Sequence, residues 1–458
     1  MIIDLEMIRK YDRPGPRYTS YPTAPHFHEG FTSAEYQKEI EDTNRGDGPF
    51  PDISLYYHLP FCDTLCYFCG CNMIITRNRS RIAEYLKYLK KEITLLRGKL
   101  HTDRVVSQLH WGGGTPTHLN PEEIADLTRL IYSEFSMSPD AENGCEIDPR
   151  GLSYEHLEAL RKGGFNRISM GVQDFYEPVQ KAVNRIQPEE MTRQVIDWVR
   201  QLGFSSINLD LMYGLPHQTL DSFAKTVDTT IQLSPDRIAV FNYAHLPWLK
   251  KHMGLIREED LPKPEEKLEI LKMTIEKLTD AGYVFIGMDH FAKPEDELSI
   301  ALREKKLYRN FQGYSTHAGT DIYALGITSI SQLTNVYAQN EKREKDYFAA
   351  LDAGKFPVTK GVRLSEDDQL RRWVITRLMC DFELQIPMVE ERFGIDFRNY
   401  FKHAYTLLPE FAEDDLVQIS DHKIEVTERG RMLIRNLAMC FDGYLERKED
   451  KGRYSRTV

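Results

Sequence analysis

Residues 58–72 read His58-Leu59-Pro60-Phe61-Cys62-Asp63-Thr64-Leu65-Cys66-Tyr67-Phe68-Cys69-Gly70-Cys71-Asn72, four cysteines within ten residues. The run follows Leu55–Leu59, a short apolar and aromatic segment with strand character, so the cysteines sit in a loop at the C-terminal end of a strand. Three thiolates spaced C-x3-C-x2-C can ligate three irons of a four-iron cluster, leaving the fourth iron open for chemistry. A four-thiolate zinc site on Cys62, Cys66, Cys69 and Cys71 is the alternative. The C-x-C pair Cys69-Gly70-Cys71 is awkward for one compact tetrahedral site.

Outward from this loop, short β-branched or aromatic runs alternate with helical patterns between Ser54 and Met288. That alternation marks a parallel sheet covered by helices. The expected strands are Leu55–Leu59, Val106–Trp111, Cys145–Asp148, Arg167–Val172, Ile207–Met212 and Ile238–Tyr243, making six βα units. In the first intervening helix Ile82, Leu86, Leu89, Ile93 and Leu96 line one face. The second opens Asn120-Pro121-Glu122-Glu123, an N-cap with proline at N1 and glutamate at N3. Periodicity alone leaves an open sheet and a barrel both allowed.

The first 50 residues, centred on the proline-rich RPGPRYTSYPTAP, read as an extended arm (1–50). The βα region with the less regular stretch after it spans 51–360, and Asn310–Gly326 reads as loop. Helical patterns around Asp367–Met379 and Gly430–Leu445 flank a hairpin-like Leu416–Val426, which predicts a small C-terminal α+β domain over 361–458.

Seven cysteines are too few, and odd in number, for a disulfide scaffold. Cys145, Cys380 and Cys440 read as buried thiols. No apolar run approaches the roughly 20 residues of a membrane span, and the N-terminus shows neither a secretory nor a transit signal, so a cytoplasmic protein is expected. The 59 basic and 70 acidic residues give a net charge of −11, which disfavours nucleic acid as a partner. An anionic substrate would need a local basic pocket.

The remaining motifs converge on the C-terminal edge of the sheet, where parallel α/β folds place their active sites. His110-Trp111-Gly112-Gly113-Gly114-Thr115-Pro116 puts three glycines after the second strand, where bare backbone can approach a ligand and offer N–H groups, or make a tight turn. Glu146 and Asp148 share one face of the third strand. Asp210 interrupts an apolar strand, where an unpaired charge is costly, so it calls for a partner such as a ligand hydroxyl.

These stretches, YYHLPFCDTLCYFCGCN, HWGGGTPTHL, EIDPR, NRISMGVQDF, NLDLMYGLP and FNYAHLP, resemble the radical S-adenosylmethionine superfamily. More narrowly, with GPRYTSYPTA, IGMDHFAKPEDEL, NFQGY and RGRMLIRNLAMCFD, the whole chain is similar to the oxygen-independent coproporphyrinogen III oxidases. The resemblance implies a partial (β/α)6 barrel and a [4Fe-4S] cluster on Cys62, Cys66 and Cys69, whose open iron chelates S-adenosylmethionine. A 5′-deoxyadenosyl radical would then take hydrogen from the β-carbon of two propionates of coproporphyrinogen III, each becoming a vinyl group with loss of carbon dioxide, to give protoporphyrinogen IX.

The resemblance also implies two S-adenosylmethionine molecules per chain. The first would contact Tyr56, Phe68, Gly113, Glu146 and Ile330. The second would contact Gly114, Thr115, Gln173, Arg185, Asp210 and Ala244. Tyr56, Glu146, Phe311, Gln312 and Cys71 would take part in catalysis, Cys71 without being needed for cluster assembly. Two departures from the family pattern are Cys145 before Glu146 and His317-Ala318-Gly319. The expected partners are coproporphyrinogen III and a low-potential donor such as flavodoxin or ferredoxin, with the chain working as a monomer. Arg17 of the arm is a candidate propionate partner. The rival reading is a haem-binding chaperone of the same superfamily; such chaperones typically lack Cys71 and the arm, both present here.

Overall fold

The six expected strands lie side by side in chain order: β1 (Ile53–Leu59), β2 (Val105–Gly113), β3 (Ser136–Ile147), β4 (Arg167–Gln173), β5 (Ser206–Tyr213) and β6 (Arg237–Asn242), each parallel to the next. They are drawn from a computed structural model that describes residues 4–446 and 454–457. Parallel neighbours need crossover connections, and the helices Arg79–Arg97, Pro121–Glu134, Tyr154–Lys162, Glu189–Gln201 and Leu220–Leu233 supply them. The helix at Pro121 starts as expected: Asn120 accepts from the Glu123 N–H while the Glu123 carboxylate accepts from the Asn120 N–H.

β1 and β6 do not pair, so the barrel stays open. A further parallel strand, Asp321–Leu325, lies beside β1, and the antiparallel strand His290–Ala292 lies beside β6. The sheet holds 12 strands among the described residues and ends at Val358–Arg363 and Val284–Gly287. The stretch Asn310–Gly326, read from sequence as loop, instead carries this strand and much of a hairpin, Tyr308–Asn310 with Gly313–Ser315. Its glycines fall at the turns: Gly313, Gly319 and Gly326 all have positive φ. Between them the segments are too short to show a period.

Burial alternates along the central strands. Ile168, Met170 and Val172 of β4 and Ile207, Leu209 and Leu211 of β5 are buried beneath the helices. Ser169, Gly171, Gln173, Asn208, Asp210 and Met212, on the opposite face, stay partly accessible. The apolar side of the sheet is thus its outside, and the barrel interior is lined largely by polar groups.

The arm has a helix at each end, Leu5–Tyr11 capped by Asp4 and Ser33–Thr43 opened by a Thr32–Glu35 capping box. The proline-rich stretch between holds only the short turn Ala24–His26. Tyr11, Tyr18 and Tyr21 are buried in the core of the C-terminal region, among Leu370, Val374 and Leu378 of helix Glu366–Asp381. That region carries its own three-stranded sheet, Glu383–Gln385, Lys423–Val426 and Val417–Ile419.

Candidate active site

The cysteine loop leaves β1 and is closed by its own backbone. Phe61 and Cys62 pair with Ile74 and Ile75, and the Cys69 N–H donates to the Cys66 carbonyl. Tyr67 is tied through its N–H to Val183, so the loop is held against the segment after β4. Phe68 is buried with Cys66, Val179, Val183, Leu215 and Tyr243 in an apolar cluster over the top of the barrel.

The glycines after β2 fit against this loop. A Cβ on Gly114 would lie 2.5 Å from the backbone of Pro60, and one on Gly113 would lie 2.6 Å from the His58 ring. The N–H groups of Gly113, Gly114 and Thr115 are already spent, on Glu146 Oε2, Leu59 O and Phe61 O. Of the two readings the sequence allows, donation to a ligand or a tight turn, these three N–H groups follow the second. The glycines are needed for close approach of two loops, and what they leave toward the interior is bare Cα and carbonyl surface.

The sulfurs sit in a charged setting. Arg150 donates from Nη2 to the Cys66 sulfur at 3.2 Å, Arg185 lies 3.8 Å from the same sulfur, and Asp148 holds both guanidiniums at 2.6 and 3.0 Å. Burial pushes the Cys62 thiol up to about 12, with Cys69 and Cys66 adding to the shift, against a 3.5 Å contact to the Thr115 hydroxyl. Cys71 hydrogen bonds to Cys69, holding the Cys69 thiol below its ordinary range and Cys71 above it. Cys71 is exposed, while Cys66 is buried.

Among the described residues no three His, Cys, Asp or Glu side chains converge tightly enough to hold a single metal ion. A four-iron cluster asks for something different: its thiolates bind separate irons, so they must ring a space rather than meet at a point. Three cysteines on one closed loop, with two arginines beside a sulfur, fit that group in donor chemistry and in charge.

Glu146 is half-buried on β3. Burial raises its carboxyl, but the His110 ring at 3.4 Å, with its charge, and the Gly113 N–H at 3.1 Å bring it below the usual carboxylate range. Tyr56 stacks on His110 with 5.9 Å between centroids, and its hydroxyl lies 3.3 Å from His58 Nδ1. Asp210 on β5 accepts from Asn208 at 2.8 Å and from Ser169 at 3.4 Å; burial, with the charge of Glu146, still lifts it to about 7.

Gln173 ends β4 at positive φ, with its Oε1 buried and unpartnered among the described residues; Arg185 Nε is likewise unpartnered. A Cβ on Gly171 would meet both side chains, at 2.7 Å and 3.2 Å. Orphaned donors and acceptors of this kind are what a polar ligand satisfies.

The expected residues thus gather in two places. Tyr56, Glu146, Gly113, Gly114, Thr115, Gln173, Arg185 and Asp210 surround the upper interior beside the cysteine loop, with Phe68 in the apolar cluster above it and Ala244 following Tyr243 of that cluster in the chain. Phe311 and Ile330 lie beyond β1 with Phe27 and Tyr337, and the buried Nε2 of Gln312 has no partner among the described residues. Arg150, His252 and Lys250 were not singled out from sequence. The latter two donate to the Cys69 and Cys71 carbonyls from a loop 180 residues away, which no local pattern announces.

Comparison with known proteins identifies relatives along the whole chain. Residues 56–230 match the Radical SAM superfamily and residues 364–433 the HemN C-terminal domain. The chain is 48% identical over 455 residues to an oxygen-independent coproporphyrinogen III oxidase of Salmonella typhimurium, covering 99% of this chain and 98% of that one. It is 46% identical to its Helicobacter pylori counterpart, covering 100% and 99%. The crystallised coproporphyrinogen III oxidase of Escherichia coli, described as a radical SAM enzyme, superposes with a TM-score of 0.92 at 45% identity, over 97% of this chain and 99% of that one.

Proposed function

The chain belongs to the oxygen-independent coproporphyrinogen III oxidases of the radical SAM superfamily, and from that premise we propose how its own residues carry out the oxidation of coproporphyrinogen III. It is a radical SAM oxidoreductase with a [4Fe-4S] cluster and S-adenosylmethionine as cofactors. Cys62, Cys66 and Cys69 hold the cluster. When bound, the cluster and S-adenosylmethionine supply a hydrogen-abstracting radical. Each reacting propionate would give up a hydrogen atom from its β-carbon to that radical and one electron to an external acceptor, lose its carboxylate as carbon dioxide and become a vinyl group.

Two S-adenosylmethionine molecules would be held in the upper interior. Tyr56, Phe68, Gly113 and Glu146 would take the first, with Glu146 accepting from its amine and Ile330 meeting it from the side beyond β1. Gly114, Thr115, Gln173, Arg185, Asp210 and Ala244 take the second, with Asp210 accepting from ribose hydroxyls. The unpartnered Gln173 Oε1 and Arg185 Nε support this reading. The apolar roof of Phe68, Val179, Leu215 and Tyr243 excludes water from the place where hydrogen is abstracted. Phe311, Gln312 and Cys71 act beside the substrate.

The electron that would reduce the cluster comes from an acidic, low-potential carrier of flavodoxin or ferredoxin type. Trp248 is 77% and Leu249 68% exposed, on the segment whose Lys250 and His252 grip the cysteine loop. Between Tyr243 and Ile256 this segment carries Lys250 and Lys251 and no acid, which supports an acidic partner. No helix among the described residues is long and apolar enough to cross a membrane; we place the chain in the cytoplasm as a monomer.

The observation that carries the reading is the three-cysteine loop standing over a polar, open barrel interior. Anaerobic turnover with coproporphyrinogen III, reductant and S-adenosylmethionine tests it: vinyl product should accumulate with 5′-deoxyadenosine. Tight haem binding without vinyl product would overturn it.

A further inference from the structure

Two strands along the sheet from Asp210 the interior wall becomes cationic. Asp210 is in register with Ala239 of β6, and Ala239 with His290 on the neighbouring antiparallel strand. At strand spacing this puts His290 about 10 Å from Asp210. The His290 ring packs edge-on to Phe241 and Tyr314, and its Nδ1 is buried without a partner among the described residues.

Three guanidiniums gather here. Arg309 is 5% exposed and lies over the Tyr314 ring at 4.7 Å. Its Nε and Nη1 are buried with no hydrogen-bond partner among the described residues. Arg435, also 5% exposed, spends its donors on the backbone carbonyls of Gly15, Pro16, Arg456 and Thr457, which anchors the arm. That anchoring positions Arg17, which reaches Asp289 and lies 5.9 Å from the Phe241 ring centroid. Burial first, then Arg435 and Arg309, lower Arg17 to about 9; burial, then Arg309, Arg17 and Arg237, lower His290 to about 3.

A buried arginine with open donors is costly unless an anion meets it. Asp289 already serves Arg17, so Arg309 is left for a ligand. We propose that Arg309 and Arg17 form a carboxylate subsite that receives a propionate of the tetrapyrrole other than the one reacting. This rests on coproporphyrinogen III being the substrate, whose propionates lie on different rings. A site that grips one while another meets the cofactor must stand apart from the cofactor pocket along the barrel wall, and this one does. The subsite sets orientation and discriminates by carboxylate count; Arg309 acts on the substrate, while Arg435 is a positioning residue for the arm.

The test is a fluorescence titration of the cluster-loaded chain with coproporphyrin III, the stable oxidised form of the substrate, beside its tetramethyl ester and a porphyrin with two propionates. Wild type should bind the tetra-acid most tightly and the ester least. Arg309→Gln should weaken the tetra-acid by about 10-fold or more, with iron content and thermal unfolding unchanged, while Arg309→Lys keeps most of the affinity. Should Arg309→Gln unfold, Arg17→Gln carries the test, since that side chain is 35% exposed. Wild-type affinity in both glutamine variants, or an ester bound as tightly as the acid, overturns the subsite. A wild type that binds none of the three overturns the substrate assignment beneath it.

Discussion

Arg150 donates from Nη2 to the sulfur of Cys66 at 3.2 Å while Asp148 holds the same nitrogen at 2.6 Å, so a positive charge is fixed against one of the three proposed cluster ligands. Hydrogen bonds and nearby charge set the potential of iron–sulfur clusters. Arg150→Gln should therefore make the cluster harder to reduce, by on the order of tens of millivolts, with iron content retained. A potentiometric titration followed by electron paramagnetic resonance reads this; an unmoved midpoint would show that the contact does not tune the centre.

Gly114 offers a sharper structural test. Its added Cβ would meet Pro60 C and O at 2.5 Å, and these are backbone atoms that cannot swing aside. Gly114→Ala should cost about 1–3 kcal/mol and lower the iron retained per chain. Gly70, with nothing within 4 Å of a Cβ, is the control, and Gly70→Ala should keep its iron.

Asp210 should make S-adenosylmethionine binding depend on pH. A carboxyl lifted to about 7 must be ionised to accept hydroxyl donors best. Ligand binding then favours the ionised form, so affinity for the second molecule should rise as pH increases through about 7. Asp210→Asn should flatten that profile and weaken binding by about 10-fold above it. Equilibrium dialysis at two pH values decides.

Glu92 governs stability rather than binding. It is 2% exposed and accepts from Gly326 N, Asn340 Nδ2 and Tyr347 OH, tying the 326–330 segment to helix Arg79–Arg97. Burial raises its carboxyl from 4.5 to about 7 despite these bonds. A raised folded value means the contribution is complete below 4.5 and is lost as pH climbs through about 7. Between about pH 5 and about pH 8, Glu92→Gln should gain up to about 3 kcal/mol on wild type in unfolding free energy. Denaturant melts giving a pH-independent difference would rule this out.

Trp248 and Lys251 should matter to the electron carrier and not to the chemistry. In the Trp248→Ser/Lys251→Glu variant the ratio of flavodoxin-driven to dithionite-driven turnover should fall several-fold, with a weaker salt dependence. An unchanged ratio would place the docking surface elsewhere.

Much of this was legible because the signals are local. The strand periods, the Asn120 cap and the C-x3-C-x2-C spacing each lie within one short window, and each determines its geometry through backbone chemistry. Five of the six strands appear within two residues of their expected bounds, while β3 begins at Ser136, nine residues before the expected Cys145. The region after Met288 was harder. Its strands have three to six residues, too few to show a period, and Asp321–Leu325 is wholly buried beside β1, so it lacks the polar alternation that marks a half-buried strand.

The sequence by itself determined the order of the six βα units and the cysteine loop at the end of β1, since these follow from spacing along the chain. Only the tertiary structure decided that the barrel stays open and that the glycine N–H groups are spent on neighbouring loops. It alone brought Arg17, Arg309 and Arg435, separated by hundreds of residues, to one wall. Charges far apart in sequence carry no periodic signal; their meeting is set by how the arm, the Tyr308–Ser315 hairpin and the C-terminal helices pack together.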